Sequence, residues 1–144
     1  MTKRIMLVED NADDVALTVR AFHSHRPTLD VQIAHDGAEA LANLFGAEGQ
    51  PPPSGLPALV LLDLHLPGID GFEVLRRIRA DSRTRFLPVV ILTSSNEPGD
   101  LMNGYWLGAN SYVRKPLSFN DLVTASQQVA AYWLDLNELP PRPM

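Results

Sequence analysis

Short apolar runs alternate along the chain with longer segments in which apolar residues return every three or four positions. The runs rich in Val, Ile and Leu, at 5–8, 31–34, 58–62, 89–92 and 111–113, predict five strands, and their unbroken apolarity suits strands covered on both faces. Helix signals fill the intervals. Asn11 ahead of Asp13-Asp14 predicts a capped first helix from Ala12, with Val15, Val19 and Phe22 on one face. Asp36 precedes a second helix over 37–45, and a third runs over 71–80 with Leu75 and Ile78 turned inward. A fourth, over 99–107, stops at Gly108; a fifth opens with the capping-box pattern Ser118-x-x-Asp121 and continues to about Leu136. Strands and helices in strict alternation predict a parallel sheet with crossover helices. Two stretches are irregular: 46–57, with Pro51-Pro52-Pro53, and the tail Pro140-Pro141-Arg142-Pro143.

Composition narrows the picture. A chain of 144 residues, 45% hydrophobic and 20% charged, is one globular unit, able to bury roughly 68% of its unfolded surface. We expect a single domain over 1–144 with no output domain. The 12 Lys+Arg against 17 Asp+Glu leave a formal charge of −5, which argues against direct nucleic-acid binding. With 0 Cys, thiolate metal sites, disulfides and cysteine nucleophiles are excluded. The apolar runs fall far short of the roughly 20 residues of a membrane span, and Glu9-Asp10 interrupts any signal-peptide core after Lys3-Arg4. The expectation is a cytoplasmic protein with no membrane partner.

In an open parallel sheet, ligands bind beyond the carboxyl ends of the strands. The residues there are Glu9-Asp10 after the first strand, Asp63 after the third, Thr93-Ser94 after the fourth and Arg114-Lys115 after the fifth. Taken singly, each has an ordinary reading as a dipole complement, turn residue, cap or surface charge. Their joint arrival on one sheet edge points to shared chemistry. Three carboxylates would repel one another unless they share a cation, and oxygen donors alone favour Mg²⁺. A hydroxyl donor and a lysine charge complete a phosphoryl-transfer constellation. His23, His25 and His35 are spaced too widely for a ligand set, and Arg76, Arg77 and Arg79, near Glu73 and Asp81, read as the solvated side of the third helix.

These residues carry a resemblance over nearly the whole chain. Leu7-Val8-Glu9-Asp10-Asn11, the segment Leu61-Leu62-Asp63-Leu64-His65-Leu66-Pro67-Gly68-Ile69-Asp70-Gly71, Val90-Ile91-Leu92-Thr93-Ser94-Ser95, and Gly108-Ala109-Asn110-Ser111-Tyr112-Val113-Arg114-Lys115-Pro116 resemble the motifs of the two-component response-regulator receiver domain. The insertion after the second helix and the ending Tyr132-Trp133-Leu134-Asp135-Leu136-Asn137 resemble the single-domain regulators paired with bacterial and cyanobacterial phytochrome kinases. The resemblance implies a flavodoxin-like doubly wound (βα)5 fold with strand order 2-1-3-4-5. It further implies that Asp63 accepts a phosphoryl group from a sensor histidine kinase in a phosphorelay. Asp10 and Asp63 would hold Mg²⁺ directly, Glu9 through water, and His65 through its backbone carbonyl. Lys115, before a cis bond to Pro116, would meet a phosphoryl oxygen, while Thr93 and then Tyr112 would switch. His65 and Ser95 would flank the approach of water and help set the phosphoryl lifetime. The only reaction expected is phosphotransfer to the chain itself and its reversal by water.

A stripe of Leu122, Val129, Trp133 and Leu136, broadened by Tyr132 and Leu134, predicts a homodimer through the fourth helix, fifth strand and fifth helix. The rival enzyme reading is a haloacid-dehalogenase-type phosphatase, which also uses an aspartate nucleophile with Mg²⁺. It wants a second acid where this chain has His65. A nucleotide or flavin carrier would need a phosphate loop where Glu9-Asp10 stands.

Overall fold

The computed structural model describes residues 3–46 and 55–141. Five strands, β1 (Arg4–Val8), β2 (Asp30–Ala34), β3 (Leu59–Leu62), β4 (Val89–Thr93) and β5 (Ser111–Arg114), form one sheet in the order β2-β1-β3-β4-β5. All neighbours pair parallel, with Val8 opposite Ala34 on one side and Leu62 on the other. The polyproline stretch, Arg142 and Pro143 lie outside the described residues.

Alternation along the strands divides the core into two halves. Met6, Val8, Val60, Leu62, Val89 and Ile91 point to one face, where they meet Leu41, Leu44, Val74, Leu75 and Ile78. Ile5, Leu7, Leu59, Leu61 and Val90 point to the other, against Phe22, Ala130 and Leu134. The first face is therefore covered by α2 (Gly37–Phe45) and α3 (Gly71–Ala80), and the second by α1 (Ala12–His23) and α5 (Phe119–Ala130). Since both faces are dry, the central strands β1, β3 and β4 are apolar at every position except Arg4 at the entry of β1 and Thr93 at the end of β4, as the sequence pattern implies.

The helices begin where short polar side chains can take orphan amides. Asn11, Asp36, Asp70 and Ser118 accept from Asp14, Glu39, Glu73 and Asp121 respectively, each cap being worth about 1 kcal/mol. The fourth helix, α4 (Pro98–Trp106), starts instead with Pro at its first position and no side-chain cap.

Three details depart from the sequence expectations. The fifth helix keeps its length to Leu136, but Ala131–Leu136 is wound as a π-helix. This turn carries Leu134 into the core, with its carbonyl taking a 2.6 Å hydrogen bond from Lys3 Nζ, while Tyr132 and Leu136 stay outside. Val129 and Trp133 pack against the second core half, so that stripe is mainly cover rather than spare apolar surface. Arg79 does not join the solvated arginines. Its guanidinium donates to the carbonyls of Gly108 (2.9 Å) and Leu87 (2.7 Å) and to Asn110 Oδ1 (2.9 Å), tying α3 to the entries of β4 and β5. Arg76 and Arg77 do stay exposed, and together they hold the Glu73 carboxyl down at about 2.

Candidate functional site

The strand ladder runs one step past the strands and fixes the site backbone. Glu9 N donates to Ala34 O at 3.0 Å, Asp63 N to Val8 O at 3.0 Å, and Lys115 N to Thr93 O at 2.7 Å. These residues face each other because they are the next rungs of neighbouring strands. Carboxylate oxygens of Glu9, Asp10 and Asp63 lie within 4.8 Å of one another. Glu9 is 2% exposed and Asp63 9%, while Asp10 stands open to solvent.

Three carboxylates at this spacing, two of them withdrawn from water, are costly without cations. Lys115 supplies one. Its ammonium bonds Glu9 Oε1 and Asp14 Oδ2 (3.1 Å) and stands 3.8 Å from Asp63 Oδ2. Burial pushes the Glu9 carboxyl above its ordinary range against the Lys115 hydrogen bond, and the Asp63 charge adds to the rise. Burial would by itself lower Lys115, but the Glu9 hydrogen bond and the charges of Asp63 and Glu9 outweigh it and raise the ammonium. The cluster is short of positive charge, and its all-oxygen donor set fits a hard divalent cation. The His65 side chain is not in this group; it turns outward, with Nε2 3.1 Å from Asp100 Oδ2.

The remaining site residues are placed by the strand ends and the loops that follow them. Leu64 N donates to Asp63 Oδ1 at 2.9 Å, which leaves Oδ2 on the Lys115 side. Thr93 is 1% exposed, and its Oγ1 accepts from Ser95 N at 3.4 Å. The Tyr112 hydroxyl donates to Ser95 O at 2.9 Å; burial, outweighing that bond, raises its pKa and keeps it a donor. Two site residues escape a reading of strand ends, Asp14 and Asp100. Both sit in the first turn of a helix, where an acid has an ordinary role at the dipole's positive end. The expected cis bond before Pro116 is absent: every peptide among the described residues is trans, the form favoured by about 0.5–1 kcal/mol before proline.

Fold, strand order and this acidic edge define a doubly wound phosphoryl-accepting switch domain, and comparison with known proteins bears this out. The response regulator receiver domain family matches residues 5–127. The chain belongs to that family. It is 43% identical over 136 residues to the probable methanogenesis regulatory protein FilR2 of Methanothrix harundinacea, covering 94% of this chain and 86% of that one. It is 36% identical to the response regulator Rcp1 of Synechocystis over 96% of this chain and 93% of Rcp1; the solved Mn²⁺-bound form of Rcp1 superposes with a TM-score of 0.82 at 34% identity, covering 96% and 99% of the two chains. The phosphorylated cyanobacterial phytochrome response regulator RcpA superposes with a TM-score of 0.89 at 35% identity, over 98% of this chain and all of that one.

The protein is thus a receiver of two-component signalling, a phosphorylation-dependent switch whose Glu9, Asp10 and Asp63 carboxylates are grouped closely enough to hold a divalent metal, and the family it matches is not a catalytic enzyme family. That membership sets aside the haloacid-dehalogenase alternative. No helix among the described residues is long and apolar enough to cross a membrane.

Proposed function

We propose that Asp63 takes a phosphoryl group from the phosphohistidine of a phytochrome-type sensor kinase and that Thr93 and Tyr112 transmit the change. The observation that carries this reading is the largely buried Asp63 carboxylate, set between two acids and an ammonium, with Oδ1 taken by Leu64 N and Oδ2 facing Lys115. In this reading the cation is Mg²⁺, held by Glu9, Asp10, Asp63 and the His65 carbonyl; when bound it neutralises charge on the phosphoryl oxygens.

Asp63 Oδ2 attacks phosphorus as a carboxylate nucleophile. Its O–P bond forms while the kinase's N–P bond breaks, and the imidazole leaves with the electron pair. Lys115 is held as an ammonium at the same edge and turns from Glu9 and Asp14 to a phosphoryl oxygen. Among the described residues Thr93 Oγ1 is engaged by the long Ser95 contact alone, and so little holds it back from donating to the new phosphate. A phosphoryl group brings about −1.5 to −2 of charge, which biases the Thr93 and Tyr112 arrangement toward an active population. The chain's only chemistry is this transfer and the hydrolysis of its own acyl phosphate, in the cytoplasm.

The chain also pairs as a homodimer through α4, β5 and α5. Support comes from Met102, Tyr105 and Trp106, which lie at i, i+3 and i+4 on α4 and are 70%, 49% and 85% exposed. Tyr132 and Leu136, at the far end of the fifth helix, are also exposed.

Names of the relatives Rcp1 and RcpA support the phytochrome link through RcpA's description as a phytochrome response regulator. The test is transfer of label from an autophosphorylated phytochrome kinase. Label is expected on the unsubstituted chain and not on Asp63→Asn. Label on Asp63→Asn would overturn the acceptor assignment, whereas labelling by a small phosphodonor but not by that kinase would overturn the phytochrome pairing.

A further inference from the structure

Ser95 is the hub of the switch loop. Its N–H donates to Thr93 Oγ1, its carbonyl accepts from the Tyr112 hydroxyl, and its own hydroxyl accepts from Glu97 N at 3.3 Å and donates to Asp100 Oδ2 at 2.6 Å. The same Asp100 oxygen lies 3.1 Å from His65 Nε2. His65 is two residues beyond Asp63 and Ser95 two beyond Thr93, on the loops that follow neighbouring strands paired at Leu62 and Ile91. One carboxylate oxygen of α4 therefore bridges the loop that carries the acceptor and the loop that carries the switch threonine. The Asp100 side chain is only 17% exposed.

We infer that Asp100 is a positioning residue whose carboxylate straps His65 to Ser95 across the mouth of the acceptor site and thereby lengthens the life of the Asp63 acyl phosphate. This deepens the proposed function and rests on it. Hydrolysis requires water to reach phosphorus in line with the Asp63 Oδ–P bond, from the side away from the carboxylate. The water oxygen bonds to phosphorus, the Oδ–P bond breaks, Asp63 leaves as carboxylate, and the water proton passes to the released phosphate. His65 and Ser95 stand on the loops that leave Asp63 and Thr93 at the ends of paired strands, so the strap joins the two loops bordering the acceptor on its β4 side. With the strap in place, the imidazole and the Ser95 hydroxyl are held to each other; without it, each is free to swing aside.

The strap needs an acceptor oxygen rather than a charge, since both bonds are made to one oxygen and both partners donate. The experiment is the decay of the acyl phosphate, formed with a small-molecule phosphodonor and Mg²⁺ and followed by intact mass, in the unsubstituted chain, Asp100→Ala, Asp100→Asn, His65→Ala and the double variant Asp100→Ala/His65→Ala. Loss of a single net hydrogen bond sets the expected scale, so Asp100→Ala should speed decay about 2- to 10-fold. Asp100→Asn retains the oxygen and should decay at close to the unsubstituted rate. Decay in the double variant should not exceed that of the faster single one, because both remove the same bridge.

A role limited to the α4 dipole would make the Asn and Ala variants alike, and independent roles would multiply in the double variant. Either outcome overturns the strap, as does unchanged decay in Asp100→Ala. Where Asp100→Ala fails to fold, Ser95→Ala cuts the bridge at its other end and should reproduce the faster decay. Failure of the unsubstituted chain to phosphorylate would overturn the receiver assignment of Asp63, a separate result from phosphorylation with unaltered lifetimes.

Discussion

Gly71 carries no side chain because the acceptor loop fills the space one would need. A Cβ there would stand 2.2 Å from the Asp63 carbonyl oxygen and 2.7 Å from Leu64 Cα, and Gly71 N also donates to Leu64 O at 2.9 Å. Gly71→Ala should therefore cost about 1–3 kcal/mol by overpacking and should slow phosphorylation by displacing Asp63. Denaturant unfolding beside a phosphorylation time course checks it; an unchanged midpoint would show that the loop yields without cost. Residues of this kind divide by legibility. Glu9, Asp10, Asp63, Thr93 and Lys115 are readable because a strand end fixes where each must lie. Asp100 is not, because its role depends on α4 being laid against the loop after β3, a long-range fact that no local pattern encodes.

The elements themselves follow the capping and apolar signals closely. The bounds of α2 and α3 are those expected, while the strands gain or lose a residue at their ends. The π-wound segment is different, since nothing in Ala-Tyr-Trp-Leu-Asp-Leu departs from ordinary helical composition. It is held by tertiary partners: Lys3 on the Leu134 carbonyl and Arg26 on Asp135. One further tie, between the turn after α1 and α5, titrates. His25 Nε2 lies 2.9 Å from Ser126 Oγ, and burial, helped by Arg26, lowers its pKa from the ordinary 6.5. The unfolded chain then binds the proton more readily than the folded one, so this contribution to stability is full above the unfolded pKa and is lost as pH falls through the folded value. Thermal unfolding of the native chain should drop more steeply than that of His25→Gln between about pH 7.5 and about pH 5.5. Parallel curves would remove His25 from the account.

At the scale of the whole molecule, two covered faces leave the carboxyl edge and α4 as the surfaces that act. Gly104 is the one buried residue of α4, and a Cβ on it would meet Ile91 Cδ1 at 2.7 Å. Close seating on the glycine, whose added Cβ would also lie 3.5 Å from Tyr112 Cδ2, leaves Met102, Tyr105 and Trp106 turned outward. The sequence suggests this side of the fold as an interface but assigns the apolar excess to the fifth helix; the rotation set by Gly104 moves much of it to α4. Native mass spectrometry with a small-molecule phosphodonor, with and without Mg²⁺ and beside Asp63→Asn, shows whether Asp63 is a metal-dependent phosphoryl acceptor. One phosphoryl group per chain is expected only with Mg²⁺, with none on the variant, and a twofold assembly. Phosphorylation that survives in Asp63→Asn, or none at all together with no binding of beryllofluoride, would contradict this role of Asp63.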